Sequence, residues 1–436
     1  MNSSSGAMGP FIGHVTQNSA RVWLRDAQDH SGSAPVTVAL LADGREVARQ
    51  FVSVSQSADR IAVANFEGLS PDTNYKVSIA NDEFPAASFR TDREAKSGKS
   101  GFRFGLGSCR YLFWDNPVRR DGPLGDRIFR SILAEHETSA LDFMLFLGDQ
   151  VYADPLNFLW RSSSLEEYFK LYRTAFGQPG FQELLRNVPS YMIMDDHEIR
   201  DGWSLDDLGA EESRYVAAMQ AYNAYQHSRN PVTAPGVFHY SFERCGLPFF
   251  VMDTRSERRK NREMINFAQM NTLQRWLSSN RSAPVRFIAS SVPFFPDEHD
   301  VGDGWGAYDR QRGELLEYIR SEKIGPVVFL GGDAHASSVT EMTCRRDPNF
   351  YVASVVSSPL FWPYGFGRKS QYREAAVLKY ADWSVDARFE YEMRAFVGAN
   401  NFVVLNVPAD AAAGIGVQIC GSRGEPLGAA RLKFGV

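Results

Sequence analysis

The chain has 436 residues, more than one ordinary core accommodates, so at least two domains are expected. Hydrophobic residues make up 44% and charged residues 23%, an ordinary soluble composition. The net charge of −5 excludes a general electrostatic pull towards nucleic acid or anionic membrane. Four widely spaced cysteines, Cys109, Cys245, Cys344 and Cys420, include no C-x-x-C pair and argue against a disulfide framework. The longest apolar runs, such as Phe143 to Leu147, fall far short of a membrane span. Met1 to Pro10 lacks the basic and apolar parts of a signal peptide. A cytoplasmic location is therefore the expectation, with a secreted or periplasmic one if a leader has been trimmed.

Residues from Pro10 to Asp92 read as a small all-β domain. Ala20 to Leu24 and Val36 to Leu40 alternate in strand fashion, and Asp43-Gly44 is a hairpin signal. Phe66 to Tyr75 resembles the corner before a late strand of a fibronectin type III domain, where Leu69 and Tyr75 pack the core. The expected division is a fibronectin type III-like β-sandwich over 1–92, a polar Gly/Ser-rich linker over 93–101, and a second domain over 102–436. Gly98-Lys99-Ser100 imitates a phosphate loop, but the first glycine of that motif would fall at Arg93.

From Phe102 the pattern changes to short buried-type apolar runs: Phe102 to Leu106, Phe143 to Leu147, Ser190 to Met194, Phe249 to Met252, Arg286 to Ala289 and Val327 to Leu330. Helical patterns lie between several of them: Asp126 to Glu135, Leu165 to Phe176, Glu211 to His227, Met270 to Asn280 and Arg312 to Ser321. This alternation predicts an α/β layered core, and the tail from Asn401 returns to strands.

The residues that end these runs carry the chemistry. The first run ends in Ser108-Cys109-Arg110, the second in Gly148-Asp149-Gln150-Val151-Tyr152, the third in Asp195-Asp196-His197-Glu198, and the last in Gly332-Asp333-Ala334-His335. Any one of these has an ordinary explanation, since an Asp after a strand is often a helix cap and a lone Cys a small buried hydrophobe. Four clusters at strand C-terminal ends, where open α/β sheets bind ligands, are harder to attribute to capping. Adjacent Asp195 and Asp196 repel unless a cation or donors offset them. Carboxylate, imidazole and thiolate together suit a metal site. Rival motifs fail on spacing. His197-Glu198 leads to Asp201 where a metalloprotease needs His, no G-x-S-x-G occurs, and Arg110 stands where a dinucleotide fingerprint needs its third glycine.

The ordered series Gly107-Ser108-Cys109, Gly148-Asp149-x-x-Tyr152, Asp195-Asp196-His197-Glu198 and Gly332-Asp333-x-His335 resembles the PhoD-like alkaline phosphatase family of calcineurin-like metallophosphoesterases. Asp253-Thr254-Arg255 and Gly304-Trp305-Gly306-Ala307-Tyr308 add to the likeness, which covers nearly the whole chain. The resemblance implies a four-layer αββα core behind the sandwich. It implies that Cys109, Tyr152, Asp149 and His335 ligate ferric iron and that Asp149, Asp196 and Asp333 ligate calcium, with zinc or manganese as alternatives. It implies hydrolysis of small phosphate esters, mono- or diesters, by a metal-bound hydroxide. His197, steered by Asp196 or Glu198, would assist the leaving group, and Arg255 and Arg110 would lie near the phosphate. Arg110, where Gln is more usual, and Ile199 to Trp203, where an Asn-rich run is common, depart from the family and bear on the substrate. Most of the basic run from Arg255 to Arg262 is expected to be solvated. The alternatives are a phosphotriesterase, a binding protein with a degenerate phosphatase domain, or a calcium-stabilised structural protein. No nucleic-acid or membrane partner is indicated, and the sequence is silent on oligomeric state.

Overall fold

Period-two alternation in the first ninety residues pairs into two antiparallel sheets. In the computed structural model, which describes residues 6–27, 35–80, 83–93, 101–112, 121–154, 162–300, 302–379 and 388–434, seven strands precede residue 93. They are β1 (Met8–Val15), β2 (Ser19–Arg25), β3 (Val36–Ala42), β4 (Arg45–Val52), β5 (Ile61–Glu67), β6 (Asn74–Ile79) and β7 (Ala87–Arg90). They form a β1-β2-β5 sheet and a β4-β3-β6-β7 sheet. Val22, Leu24, Val38, Leu40 and Val77 fill the space between them. Tyr75 turns its hydroxyl back to accept from the Ser70 amide at 2.9 Å, fixing the corner. Asp43 and Gly44 both take positive φ, as the β3–β4 hairpin requires. The phosphate-loop look-alike Gly98-Lys99-Ser100, and all but the ends of the expected linker, lie outside the described residues.

The elements that follow are β8 (Phe102–Gly107), α1 (Asp121–Thr138), β9 (Phe143–Leu147), α2 (Leu165–Phe176), α3 (Pro179–Asn187), β10 (Ser190–Ile193), α4 (Leu208–Tyr225), β11 (Tyr240–Arg244), β12 (Leu247–Val251), α5 (Phe267–Ser279), β13 (Arg286–Ala289), α6 (Asp309–Ser321) and β14 (Val327–Gly331). The chain closes with β15 (Ser337–Cys344), β16 (Asp347–Val356), β17 (Ala375–Lys379), β18 (Arg388–Val397), β19 (Asn401–Val407), β20 (Ile415–Gly421) and β21 (Pro426–Leu432). Helix starts are set by side chains: Ser164 and Glu167 make a capping box for α2, and Asn266 caps α5. The helix α3, opening on Pro179, and the strands β15 to β18 are additions to what the sequence pattern predicts.

Two sheets stack face to face, ordered β10-β9-β8-β19-β20-β21 and β11-β12-β13-β14-β16-β15-β18-β17. Phe104, Leu145 and Leu405 of the first meet Phe249, Phe287 and Val355 of the second. The outer face of the first sheet packs Met144, Phe146 and Val404 on the side chains of α1 to α4. The outer face of the second packs Ile288 and Phe329 on α5 and α6. The result is the helix-sheet-sheet-helix layering expected. Strands β8, β9 and β10 run parallel, as do β12, β13, β14 and β16, so the C-terminal ends of both groups can supply a site.

The sandwich is not a loosely tethered neighbour. Met8, Phe11, Trp23 and Ile61 share a core with the helices. The Trp23 indole N–H donates to the Ala224 carbonyl at 2.8 Å. Asp59 is clasped by Arg25 at 3.0 Å, by Arg173 at 2.7 Å and by the Tyr225 hydroxyl. His14 lies at the same junction, its Nδ1 3.1 Å from the Tyr191 hydroxyl. Burial, then Arg244 and Arg21, hold its pKa down to about 3. The folded value is below the unfolded one of about 6.5, so the unfolded chain takes up this proton first as the pH falls. The His14 contribution is fully present above about pH 6.5. It is lost as the pH falls towards 3, by at most about 1.4 kcal/mol per pH unit. His14→Asn should therefore flatten the dependence of the urea midpoint on pH across that window; an unchanged slope would count against the assignment.

Candidate metal centre

Backbone conformation marks the site before any side chain does. Cys109, Asp149, Asp333 and His335 all have φ between 47° and 64°, in the left-handed region that L side chains enter at a cost. Each follows a strand end, and the turns bring Cys109 against Asp149 and Asp333 within reach of Asp149. Two glycines make the approach feasible. Gly148 has φ 93°, and a Cβ there would sit 2.5 Å from the Asp195 Cβ. A Cβ on Gly332 would sit 2.5 Å from the Leu147 carbonyl oxygen, so the loop from β14 closes directly on the loop after β9.

Asp149 is at the centre. Its Oδ2 accepts from the Tyr152 hydroxyl at 3.2 Å and lies 3.3 Å from the Cys109 sulfur. One oxygen each of Asp149, Asp195, Asp196 and Asp333 lie within 4.8 Å of one another, and Asp149, Asp196 and His197 form a second group of that size. His335 stands to one side, stacked on Trp362 with ring centres 3.8 Å apart, and outside both groups. Burial, with neighbouring carboxylates, pushes the Asp149 and Asp333 carboxyls well up. Burial and then Asp149 do the same to the Cys109 thiol and the Tyr152 phenol. Burial lowers the His335 imidazole to about 4, so it is neutral at ordinary pH, the form that binds metals.

The residues fit a cation. Asp149 Oδ1, Asp195 Oδ2 and His335 Nε2 are buried with no hydrogen-bond partner among the described residues. Unpaired acceptors beside four crowded carboxylates are what a bound cation would satisfy, and a cation is also what would ionise Cys109 and Tyr152.

A family comparison decides what kind of centre this is: the sequence model for the PhoD-like phosphatases matches residues 124–387. The chain belongs to the PhoD-like phosphatase family. It is accordingly a phosphoester hydrolase, and its fold suits metal binding. A solved structure of PhoD superposes with a TM-score of 0.76 at 17% identity, covering 99% of this chain and 89% of that one. The purple acid phosphatase PPD1 from yellow lupin (Lupinus luteus) seeds superposes with a TM-score of 0.64 at 13% identity, covering 98% and 74%. At such identities these likenesses speak to the fold. The curated proteins contain no match.

Within this PhoD-like phosphatase three expectations need correction. Arg110 does not face the carboxylates. Its guanidinium lies 4.0 Å from the Phe181 ring centre and 5.2 Å from that of Phe129, and donates to the Gln150 carbonyl, so it packs the helix-side core. Arg255 is near the site but engaged: Nε donates to Asp195 at 2.8 Å, Nη2 to Asp303 at 2.5 Å and Nη1 to the Trp203 carbonyl. It holds Asp195 rather than waiting for phosphate, and Ser291 donates to the same Asp195 oxygen at 2.8 Å. Arg258, within a basic run expected to be mostly solvated, is buried on Asp303 and Tyr308.

The partner of His197 is also different. Its Nδ1 pairs with Asp154 at 2.7 Å, and Asp154 accepts from the Asp201 amide at 2.5 Å. Burial lowers the imidazole pKa, but Asp196, Asp154 and Asp149 outweigh it and lift the value well up. Glu198 instead braces the backbone. Its two oxygens accept from the amides of Asp149, Gln150 and Asp195 and from the Gln226 side chain, at 2.7–2.9 Å. Asp154 lies two residues after Tyr152, but nothing in its spacing singles it out.

Proposed function

We propose that this PhoD-like phosphatase hydrolyses small phosphate esters at a dinuclear centre. Cys109, Tyr152, Asp149 and His335 would hold one ion, expected to be ferric iron, and Asp149, Asp196 and Asp333 the other, expected to be calcium. The observation that carries the reading is the shared position of Asp149, whose carboxylate touches Cys109 and Tyr152 and also joins the Asp195, Asp196 and Asp333 group. Bound there, the metals supply Lewis-acid polarisation of the phosphoryl group and activation of water.

The chain supplies the rest. Arg255 and Ser291 fix Asp195, so the acidic wall does not relax outward. Asp154 on Nδ1 orients the His197 ring and leaves Nε2 to give a proton to the departing alkoxide oxygen. A second reading has a specific basis, because His197 falls within 4.8 Å of Asp149 and Asp196 and could itself be a ligand.

His197→Ala separates the two. As a general acid, its loss should cut kcat about 10²–10⁴-fold on alkyl esters, much less on nitrophenyl esters, and leave metal content intact. As a ligand, its loss should deplete metal. Asp154→Asn should give a milder form of the acid phenotype, about 10- to 100-fold. A panel of mono-, di- and triesters, assayed with and without chelator on the full chain, tests the function. Chelator-insensitive turnover would overturn the metal-dependent reading, and turnover of triesters alone would favour the phosphotriesterase alternative.

A further inference from the structure

A row of aromatic rings runs outward from the centre, and the chemistry proposed above does not use it. Tyr152 lies edge-on to Tyr111 with ring centres 5.0 Å apart and is 6.2 Å from Trp362. Tyr111 in turn meets Trp362 at 5.3 Å and Tyr364 at 5.4 Å, and Trp362 meets Tyr364 at 5.2 Å. Exposure rises along the row: Tyr111 is 3% exposed, Trp362 is half-buried and Tyr364 is 48% exposed.

The outer rings are held in place rather than left to drift. The Trp362 indole N–H donates to the Gly365 carbonyl at 3.2 Å, its backbone N–H to Asn400 Oδ1 at 2.7 Å, and the Tyr364 hydroxyl to that of Tyr111 at 3.2 Å. With the indole N–H satisfied, the Trp362 ring offers its surroundings only apolar faces and edges. One of them is stacked on His335, and the ring also lies beside Tyr152, so the row touches two of the proposed ligands. The exposed Tyr364 continues an ordered row of rings from solvent towards the acidic centre.

We infer that Trp362 and Tyr364, backed by Tyr111, form a subsite for a planar aromatic group on the substrate, so that the preferred esters carry an aryl ring or a nucleobase beside the phosphate. The inference rests on the phosphoesterase reading of the adjacent centre. Ring-on-ring stacking suits such a group because every planar π-system has a face to offer, and it needs no hydrogen-bond code. The rings themselves carry no charge, so the phosphate is left to the centre and the row selects the organic part.

The test uses the full, metal-loaded chain with benzyl and ethyl phosphate, whose alcohols are of similar acidity, so leaving-group chemistry does not decide the comparison. The wild type should favour benzyl over ethyl phosphate by about tenfold in kcat/KM, with the difference in KM, and Trp362→Leu or Tyr364→Ala should abolish the preference. Phenylphosphonate and methylphosphonate, which have no ester bond to cleave, give the same comparison by calorimetry. Phenyl should bind about tenfold tighter, and the variants should lose that margin at unchanged metal content. Adenosine 5′-monophosphate against ribose 5-phosphate separates a nucleobase from a simple aryl group. Equal KM for benzyl and ethyl phosphate in an active wild type would overturn the subsite while leaving the phosphatase reading in place. Equal losses on both esters would show that the rings only support the fold. A metal-loaded protein that turned over neither these esters nor any member of the mono-, di- and triester panel would fail the functional reading instead.

Discussion

Asp149→Asn should abolish turnover and, in the metal-free protein, raise stability. Asp149 shares both acidic groups with Asp196 and in addition touches Cys109 and Tyr152, so its loss should release metal from both sides. Lewis-acid stabilisation is worth several kcal/mol, and each 1.4 kcal/mol is tenfold in rate, so kcat should fall by about 10³-fold or more. The stability effect has the opposite sign. Without cations, four carboxylates within 4.8 Å repel one another in a low-dielectric setting, and burial has already pushed Asp149 well up. Asparagine is neutral at every pH, so it avoids both that repulsion and the cost of taking up a proton on folding, while its carbonyl can still accept from Tyr152. In chelator the variant should melt above the wild type. With metal present the order should reverse, because only the wild type gains binding free energy. A variant that melted below the wild type in chelator would show that Asp149 is a structural carboxylate.

Glu198→Ala should be the most damaging single change away from the proposed ligands. The side chain is fully buried and ties three backbone amides and the Gln226 side chain to one carboxylate. Two of those amides belong to Asp149 and Gln150, and Asp149 is held at φ 55°. Removing the acceptor leaves several buried N–H groups unpaired, at about 1–3 kcal/mol for each one not rescued by water, and lets the strained turn relax. A loss of about 3–5 kcal/mol is expected by denaturant titration, with poor metal retention in whatever folds. Glu198→Gln should recover only part, because its amide nitrogen would face donors. If Glu198→Ala lost activity but neither stability nor metal, Glu198 would instead act in the chemistry.

Much of this is legible in the sequence, and the exceptions have physical causes. Strand ends carrying Cys109, Asp149, Asp196 and Asp333 stand out because apolar runs and ionisable residues contrast sharply, and parallel strands deliver their ends to one edge. Arg110 is misplaced by sequence alone because nearness to Cys109 along the chain is not nearness in space. The chain turns at Cys109, and the next side chain enters the opposite layer, beneath Phe181. Arg258 escapes because a basic run shows no sign of Asp303, 45 residues on, which neutralises it. Asp154 and Ser291 act through side-chain contacts across the fold, and one sequence has no periodicity that reports such pairs. The helix α3 is hidden because Pro179-Gly180 reads as a turn, whereas proline at a first helical position is favourable. The close union of sandwich and core, through Trp23 and Asp59, is likewise invisible when only a polar linker between them can be read.

The most direct test of the dinuclear centre is elemental analysis of the purified, active full-length protein, read together with its visible spectrum. Two metal ions per chain are predicted, one of them iron, with a visible charge-transfer band from Cys109 or Tyr152 that Tyr152→Phe shifts or bleaches while Asp196→Ala removes the second metal and spares the colour. Zinc or manganese in both positions would keep the dinuclear centre and refute the iron. Active protein with less than one metal ion per chain would contradict the account altogether.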